Sequence, residues 1–168
     1  MTSKKLILVS AAVIMVLATV SVAADPDFIG AASCKMCHNK AKSGEQYSKW
    51  EAGPHAGAYA TLATDEAKAI ATEKGLGDPQ QADECLKCHI TGHGVDAAKL
   101  TKKYSVDEGV GCESCHGAGS EYKSNKVMKA ITSGETDGAT VGLLNPDAEL
   151  CMQCHNEESP TFKGFDFA

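Results

Sequence analysis

Large apolar side chains are scarce in this sequence once its first segment is set aside. Leu, Ile, Val and Phe together number 20 among residues 25–168, roughly one residue in seven. Such a composition is typical of disordered chains, because it cannot bury enough apolar surface to offset the entropy lost on ordering. A folded domain with this sequence therefore needs another source of core material.

Positive charge is also in short supply. The whole chain has a net charge of −6, and residues 25–168 have a net charge of −8, because two of the 16 basic residues and none of the 22 acidic ones precede that range. An acidic chain repels phosphates, which excludes nucleic acid as a partner. The negative charge favours a basic redox protein as partner, or a partner redox site at the surface of an oxide or a membrane.

One long apolar run stands at the start of the chain. Residues 6–22 are mostly apolar, follow two lysines and lead into small residues that end at Ala24. This pattern predicts that residues 1–24 are a bacterial secretory signal cleaved after Ala24, and that residues 25–168 form one periplasmic or exported domain without stable membrane insertion. A retained membrane anchor is the alternative, but no basic cluster follows the run.

All eight cysteines fall into one repeated pattern, C-x-x-C followed at once by histidine. This is the attachment signature of c-type haem. Two thiols add across the vinyl groups of the porphyrin, and the next residue becomes the proximal iron ligand. The sequence thus predicts four covalently bound haem c groups. The sites, numbered in chain order, are site one (Cys34, Cys37, His38), site two (Cys85, Cys88, His89), site three (Cys112, Cys115, His116) and site four (Cys151, Cys154, His155).

Disulfides and zinc are the two other common uses of paired cysteines. Four disulfides would not explain why a histidine follows every pair, and zinc would need two C-x-x-C pairs per ion while leaving the four histidines unused. Four porphyrins also supply the missing core, because each is a large, flat, apolar body. Folding is therefore expected to depend on haem attachment, as small metal domains depend on their metal.

The distal face of each haem offers a second coordination position to its iron, and only His55 and His93 remain to fill it. His93 follows His89 by four residues, which span at most roughly 14 Å. It is therefore expected to ligate a neighbouring haem. His55 is predicted to begin an Ala-rich helix that ends near Gly75 or Gly77, and to project from there into a haem face. A loop or helix-start histidine without a metal is the alternative for each.

Methionine is the usual replacement for a distal histidine, and it raises the reduction potential of the haem above that of a haem with two histidine ligands. Met128 lies on a predicted helix and is the credible thioether ligand, with a core methionine as the equal alternative. Tyr122 is a weaker candidate, and Met36 and Met152 lie inside the C-x-x-C loops, poorly aimed at a distal face. No fourth ligand is visible, so at least one haem is expected to be five-coordinate or completed by another subunit.

The predicted fold is mainly α. No sustained alternation of apolar and polar residues occurs, so little or no sheet is expected. Short helices and loops would wrap around the four haems, which hold them in place more than intrinsic propensity does. The C-terminal coil contains Phe162, Phe165 and Phe167, which either cover the haem of site four or dock another molecule.

With these features placed, the chain resembles the tetrahaem cytochrome c-554 family. The resemblance rests on the order of the four motifs and on the segments KWEAGPH, CHITGHG, GVGCESCHGAGSEY and CMQCHNEESPTFK. It implies a mostly α fold around stacked and roughly perpendicular haem pairs, periplasmic electron transfer, distal ligation by His55 and His93, and one five-coordinate haem. The family has a further distal histidine in its C-terminal part. Here none follows His155, which is why Met128 is considered.

Three functions follow from these features. The first is electron transfer between redox partner proteins through the four haems. The second is a small reductase acting on nitrogen oxides or hydroxylamine at a five-coordinate haem, for which Glu113 and Tyr122 are among the unselected acid–base candidates. The third is a subunit of an oligomeric filament in which haems stack between subunits. An electron carrier is favoured over an enzyme, because no substrate pocket is identifiable.

Overall fold

The computed structural model describes residues 25–167, so the signal-peptide prediction for residues 1–24 lies outside the described residues. Within that range the chain forms short helices and no β-strand, and an isolated parallel bridge joins Phe28 to Leu100. The predicted mainly α fold is confirmed. The α-helices are α1 (Lys35–His38), α2 (Gln46–Glu51), α3 (Ala58–Thr61), α4 (Asp65–Glu73), α5 (Asp83–His89), α6 (Cys112–His116), α7 (Asn125–Thr132) and α8 (Ala148–Met152).

Short 3-10 turns connect several of these helices. They span Ala31–Ser33, Ala41–Ser43, Ala97–Lys99, Val106–Glu108 and Gly138–Val141. None of the helices between residues 25 and 167 has the length and apolarity needed to cross a bilayer.

The helix predicted to begin at His55 is instead a turn followed by two helices. His55 lies in the turn over residues 52–57, ahead of α3, and α4 begins only at Asp65. The side chain of Thr64 accepts a hydrogen bond from the backbone N–H of Ala67 at 3.2 Å and caps α4. Threonine is a favoured N-cap, and an acidic first turn complements the helix dipole. A strong local cap therefore divides the Ala-rich segment that propensity alone predicted as continuous.

The polypeptide packs few side chains deeply. Among the described residues no large side chain is completely shielded from solvent, and most of the buried apolar residues are small or lie near the polar network of site three. The buried apolar set is Ile29, Ala31, Tyr47, Leu62, Ala71, Ala118 and Tyr122. A core of this size is thin for a domain of this length, in agreement with the scarcity of large apolar residues in the sequence.

A buried carboxylate ties the beginning of the described chain to site three. Glu113, only 3% exposed, accepts hydrogen bonds from the backbone N–H groups of Ile29 at 2.9 Å, Gly30 at 2.8 Å and Gly119 at 2.7 Å. Glu108 accepts two more from the residues that follow Gly30. Hydrogen bonds to ionised carboxylates are stronger than neutral ones. Together the two glutamates hold the segment that leads into site one against site three.

Two glycines permit close contacts between chain segments that a side chain would block. Gly109 has a φ of 60°, and a Cβ there would lie 2.6 Å from the carbonyl oxygen of His55. The next residue, Val110, donates a hydrogen bond to that same carbonyl at 3.0 Å. Gly117 has a φ of 76°, and a Cβ there would lie 2.4 Å from the carbonyl oxygen of Gly142. Glycine tolerates both the positive φ and the close approach. At Gly109 this allows the His55 turn to lie against the residues that lead into site three.

Candidate functional site

Each of the four motifs folds as one helical turn. In site one the backbone N–H of His38 donates to the carbonyl of Cys34 at 3.0 Å, and in site four His155 donates to Cys151 at 3.0 Å. Sites two and three lie within α5 and α6. At 3.6 residues per turn, positions i, i+3 and i+4 share one face of a helix. Each motif therefore presents two thiols and one imidazole together, as two thioether links and an axial ligand require.

The arrangement of donors fits haem c better than the alternatives. The eight cysteines, all within the described range, are free thiols. Over residues 25–167 no group of three or more His, Cys, Asp or Glu side chains is arranged to hold a metal ion directly. Paired thiols with one adjacent imidazole are the donor set that covalent haem attachment uses.

Two of the motif histidines have their Nδ1 atoms directed at backbone carbonyls. The Nδ1 of His89 lies 2.6 Å from the carbonyl oxygen of Ala58 in α3, and the Nδ1 of His116 lies 3.3 Å from that of Leu144. A carbonyl only accepts hydrogen bonds, so the proton of a neutral imidazole sits on Nδ1 and Nε2 is left unprotonated. Metal-bound histidines use this same support, because it sets the tautomer and the ring orientation.

One cavity gathers residues from three of the four sites. Its volume is about 1320 Å³, above the usual range for a single small-molecule pocket of roughly 300–1,000 Å³. Apolar side chains such as Ile70 and Leu76 contribute to its wall, as an apolar porphyrin would need. The candidate ligands and attachment residues that line it are His55, Cys85, Cys88, His89, His93, Cys115, Cys151, Cys154 and His155. Site one lies outside this cavity.

His55 and His155 meet within the cavity. Their ring centroids are 5.8 Å apart and their planes are inclined by 69°. His155 also stacks against Phe165, with ring centroids 4.6 Å apart and ring planes 21° from parallel. Burial, and secondarily the proximity of His155, lower the pKa of His55, which favours the neutral imidazole that can ligate a metal. The sequence left open whether the aromatic residues of the C-terminal coil cover site four or dock another molecule, and the stack of Phe165 on His155 places this one at site four.

His93 also lines the cavity but has a carboxylate partner. Its Nε2 lies 3.2 Å from Oδ1 of Asp83, the first residue of α5. The loop after site two therefore folds back, so that His93 lies over the start of the helix that carries His89. The imidazole is partly exposed.

Thiols from different sites are neighbours. The thiols of Cys34 and Cys112 lie close together, and their mutual interaction raises the pKa of Cys34 and lowers that of Cys112. Burial, followed by the nearby Cys88, raises the pKa of Cys154 to about 11. Site one thus adjoins site three, and site two adjoins site four.

Further contacts extend this order of neighbours. Burial and then the proximity of Cys151 raise the pKa of Cys115, which places site three beside site four. Lys87, inside the site-two motif, forms an ion pair with Glu158, just after site four. The attachment residues therefore follow the spatial order one, three, four, two, which differs from their order in the chain.

The remaining candidates lie elsewhere. Met128 lies on α7, where a helix was predicted, and is half-buried, but it does not line the cavity. The hydroxyl of Tyr122 donates to the carbonyl of Gly117 at 2.7 Å and to that of His116 at 3.2 Å. Trp50 donates its Nε1–H to the carbonyl of Val110 at 2.8 Å. Tyr122 and Trp50 thus support the backbone around site three.

Comparisons with known proteins identify close similarities. The family model for "Cytochrome c554 and c-prime" matches residues 33–117. Cytochrome c-554 of Nitrosomonas europaea is 32% identical over 169 residues, which cover 94% of this chain and 70% of that protein. C-type polyheme cytochrome OmcC of Geobacter sulfurreducens is 27% identical over 78 residues, which cover 43% of this chain and 9% of that protein. No solved structure matches the chain.

Proposed function

Because this chain belongs to the cytochrome c554 and c-prime family, and is therefore a c-type cytochrome of electron transfer, we propose that it carries electrons between redox partner proteins in the periplasm. Its cofactor is haem c, bound covalently in four copies. When bound, haem c supplies a one-electron couple at its iron. The residues of this chain attach it, ligate it and set the spacing between copies.

We assign attachment and proximal ligation to the four motifs. Their helical turns support this assignment, because each presents two thiols and one imidazole on a single face. The carbonyls of Ala58 and Leu144 hold the Nδ1 protons of His89 and His116, which leaves both Nε2 atoms free for iron.

His55 is proposed as the distal ligand at site four, where His155 is the proximal one. With haem c bound at site four, both imidazoles would hold its iron, and two imidazoles with metal–nitrogen bonds of about 2 Å have ring centres roughly 6 Å apart. The observed separation of the His55 and His155 ring centroids is 5.8 Å. His93 is proposed as the distal ligand of a neighbouring site, since it lines the same cavity.

The order of neighbouring sites supports electron transfer along the chain of cofactors. Proximity between thiols connects site one to site three, site three to site four and site four to site two. Neighbouring attachment points favour short electron-transfer steps between successive haems. The single observation that carries the proposal is this continuous series of C-x-x-C-H sites, brought together in a chain of the cytochrome c554 and c-prime family.

Two acid–base candidates for a reductase have other roles in the structure. The Glu113 carboxylate accepts hydrogen bonds from three backbone N–H groups, and the Tyr122 hydroxyl donates to two carbonyls. A buried group engaged in this way stabilises the fold and is poorly placed to exchange protons with a substrate. Electron transfer is therefore the function we propose.

The test uses the purified, exported protein with its haems attached. The pyridine haemochrome assay should give four haems per chain, and cell fractionation should place the protein in the periplasm. Stopped-flow mixing with a small neutral reductant, followed by an oxidant, should show complete and reversible reduction. Sustained turnover of hydroxylamine, nitrite or nitric oxide, at a rate matching electron delivery, would show that the protein is an enzyme instead.

A further inference from the structure

The surface around site one is basic, although the chain as a whole is acidic. Residues 35–51, which we call the site-one surface, contain four lysines and two glutamates. Lys35 and Glu51 form an ion pair at 3.6 Å, which neutralises one of each. The three other lysines are exposed, and no carboxylate of the described chain lies within ion-pairing distance of them. They are Lys40, Lys42 and Lys49.

Hydrogen bonds hold these lysines beside the haem-attachment motif. The Ser43 hydroxyl, next to Lys42 in the chain, donates to the carbonyl of Cys37 at 2.7 Å. The Ser48 hydroxyl, next to Lys49, donates to the side-chain oxygen of Asn39, the residue that follows His38. The positive charges are therefore attached to short, tethered segments that surround site one.

Site one is also the most accessible of the four sites. Cys37 is the only exposed thiol among the eight cysteines, all of which lie within the described range. Met36, inside the same motif, is 79% exposed. Site one lies outside the cavity that the other sites share, and it stands at one end of the order one, three, four, two. A redox partner can approach this end of the chain of cofactors directly.

Local charge outweighs net charge at the distance of contact. At physiological ionic strength the Debye length is about 8 Å, so a docking partner experiences mainly the charges that face it. Residues 147–166, at and beyond site four, contain five acidic residues and one lysine, so the segment that carries site four has the opposite sign to the site-one surface. Redox partners make small, transient interfaces in which complementary charge sets the rate of encounter.

We infer that the site-one surface is the docking surface for an acidic redox protein, which exchanges electrons with the protein through the cofactor of site one. This inference rests on the proposed electron-transfer function and adds to it the chemistry of one partner. The inferred partner is opposite in charge to the basic partner that the overall charge of −6 favours by itself, because the local surface and not the net charge decides the docking. Docking leaves the covalent chemistry unchanged, and one electron passes from the partner's reduced centre to an oxidised iron.

The test measures reduction of the haem-loaded protein by a reduced plant-type ferredoxin, a small acidic one-electron donor of low potential. Stopped-flow rates are compared for the native protein, for a site-one variant (Lys40→Glu, Lys42→Glu, Lys49→Glu) and for a control variant (Lys68→Glu, Lys126→Glu, Lys129→Glu). The control lysines are exposed and lie on α4 and α7, and both variants change the net charge equally.

At low ionic strength ferredoxin should reduce the site-one variant at least about tenfold more slowly than the native protein. The rate for this variant should also lose most of its dependence on salt concentration. The control variant should stay within about twofold of the native rate. Equal slowing of both variants, or no slowing of either, would overturn the inference. So would loss of binding to phosphatidylglycerol vesicles by the site-one variant at an unchanged ferredoxin rate, which would assign the surface to an anionic membrane.

A small neutral reductant separates this inference from the function on which it rests. If all three proteins are reduced and reoxidised equally by that reagent, electron transfer is intact and any difference with ferredoxin reports docking. If none of them can be reduced and reoxidised reversibly, the proposed function itself fails. Haem content and visible spectra should be identical in the three proteins.

Discussion

The imidazole rings of His55 and His155 lie edge to face, 5.8 Å apart, inside one cavity, although His55 belongs to the turn before α3 and His155 follows α8. The backbone carbonyl of His55 accepts a hydrogen bond from Val110. The turn that presents this imidazole is thus fixed to the entrance of site three. The first prediction follows from this pairing.

Replacing His55 with alanine should convert one haem from low-spin to high-spin while all four stay attached, because its iron loses a distal ligand and keeps its proximal one. Electron paramagnetic resonance and visible absorbance of the oxidised protein measure the change. His93→Ala is the matched variant, and it should convert a different haem, so that the double variant shows the sum of both changes. An unchanged spectrum in His55→Ala would remove His55 from the ligand set.

Replacing Phe165 with alanine should alter the signal of one low-spin haem without lowering haem content. The stack of Phe165 on His155 sets the rotation of that imidazole, and an aromatic pair of this kind contributes about 0.5–1.5 kcal/mol. Electron paramagnetic resonance g values and a potentiometric titration report the effect. Phe165→Tyr should restore the native signal, and Phe167→Ala, at a 54% exposed position, should leave it unchanged. Equal effects of Phe165→Ala and Phe167→Ala would contradict the assigned contact.

Replacing Glu113 with alanine should lower the free energy of unfolding by about 3 kcal/mol or more, because three buried backbone N–H groups lose a charged acceptor. Glu113→Gln keeps one acceptor oxygen and should lie between the alanine variant and the native protein. Guanidinium unfolding, followed by circular dichroism, gives the values. The exposed substitution Glu135→Gln should stay within about 0.5 kcal/mol of the native protein. If Glu113 acted only as an acid–base group, its loss would leave stability intact.

Replacing Met128 with leucine decides between the two roles that the sequence left open for it, a thioether ligand and a packing residue. Met128 is half-buried on α7 and does not line the cavity, so the placement favours packing, and Met128→Leu is expected to leave the spin state and the far-red absorption of the haems unchanged. The substitution nearly conserves volume and should cost less than about 1.5 kcal/mol in stability. The appearance of a high-spin haem in this variant would instead establish Met128 as a ligand.

Features that depend on residues close together in the chain could be predicted from the sequence. The C-x-x-C-H motifs and the α7 helix around Met128 depend on contacts within one or two turns. The prediction that was wrong, one continuous helix beginning at His55, also concerned residues close together in the chain. The Thr64 cap divides the segment after His55, and the prediction, which rested on the alanine content, did not consider it.

The role of Glu113 could not be predicted, since its partners include Ile29 and Gly30, far away in the sequence. A glutamate between two haem-attaching cysteines has the same sequence context whether it faces solvent, a substrate or backbone N–H groups. The same holds for Phe165, whose contact with His155 requires the C-terminal coil to fold back toward site four.

The sequence by itself determined which cofactor the protein carries and how many copies, because attachment chemistry requires two thiols and an imidazole at positions i, i+3 and i+4, a relationship written entirely within five residues. Only the tertiary structure decided which sites adjoin, that His55 meets His155, and that the most accessible site is the one surrounded by lysines. Those relationships depend on where distant backbone segments meet, and close approaches such as those at Gly109 and Gly117 are properties of the folded chain.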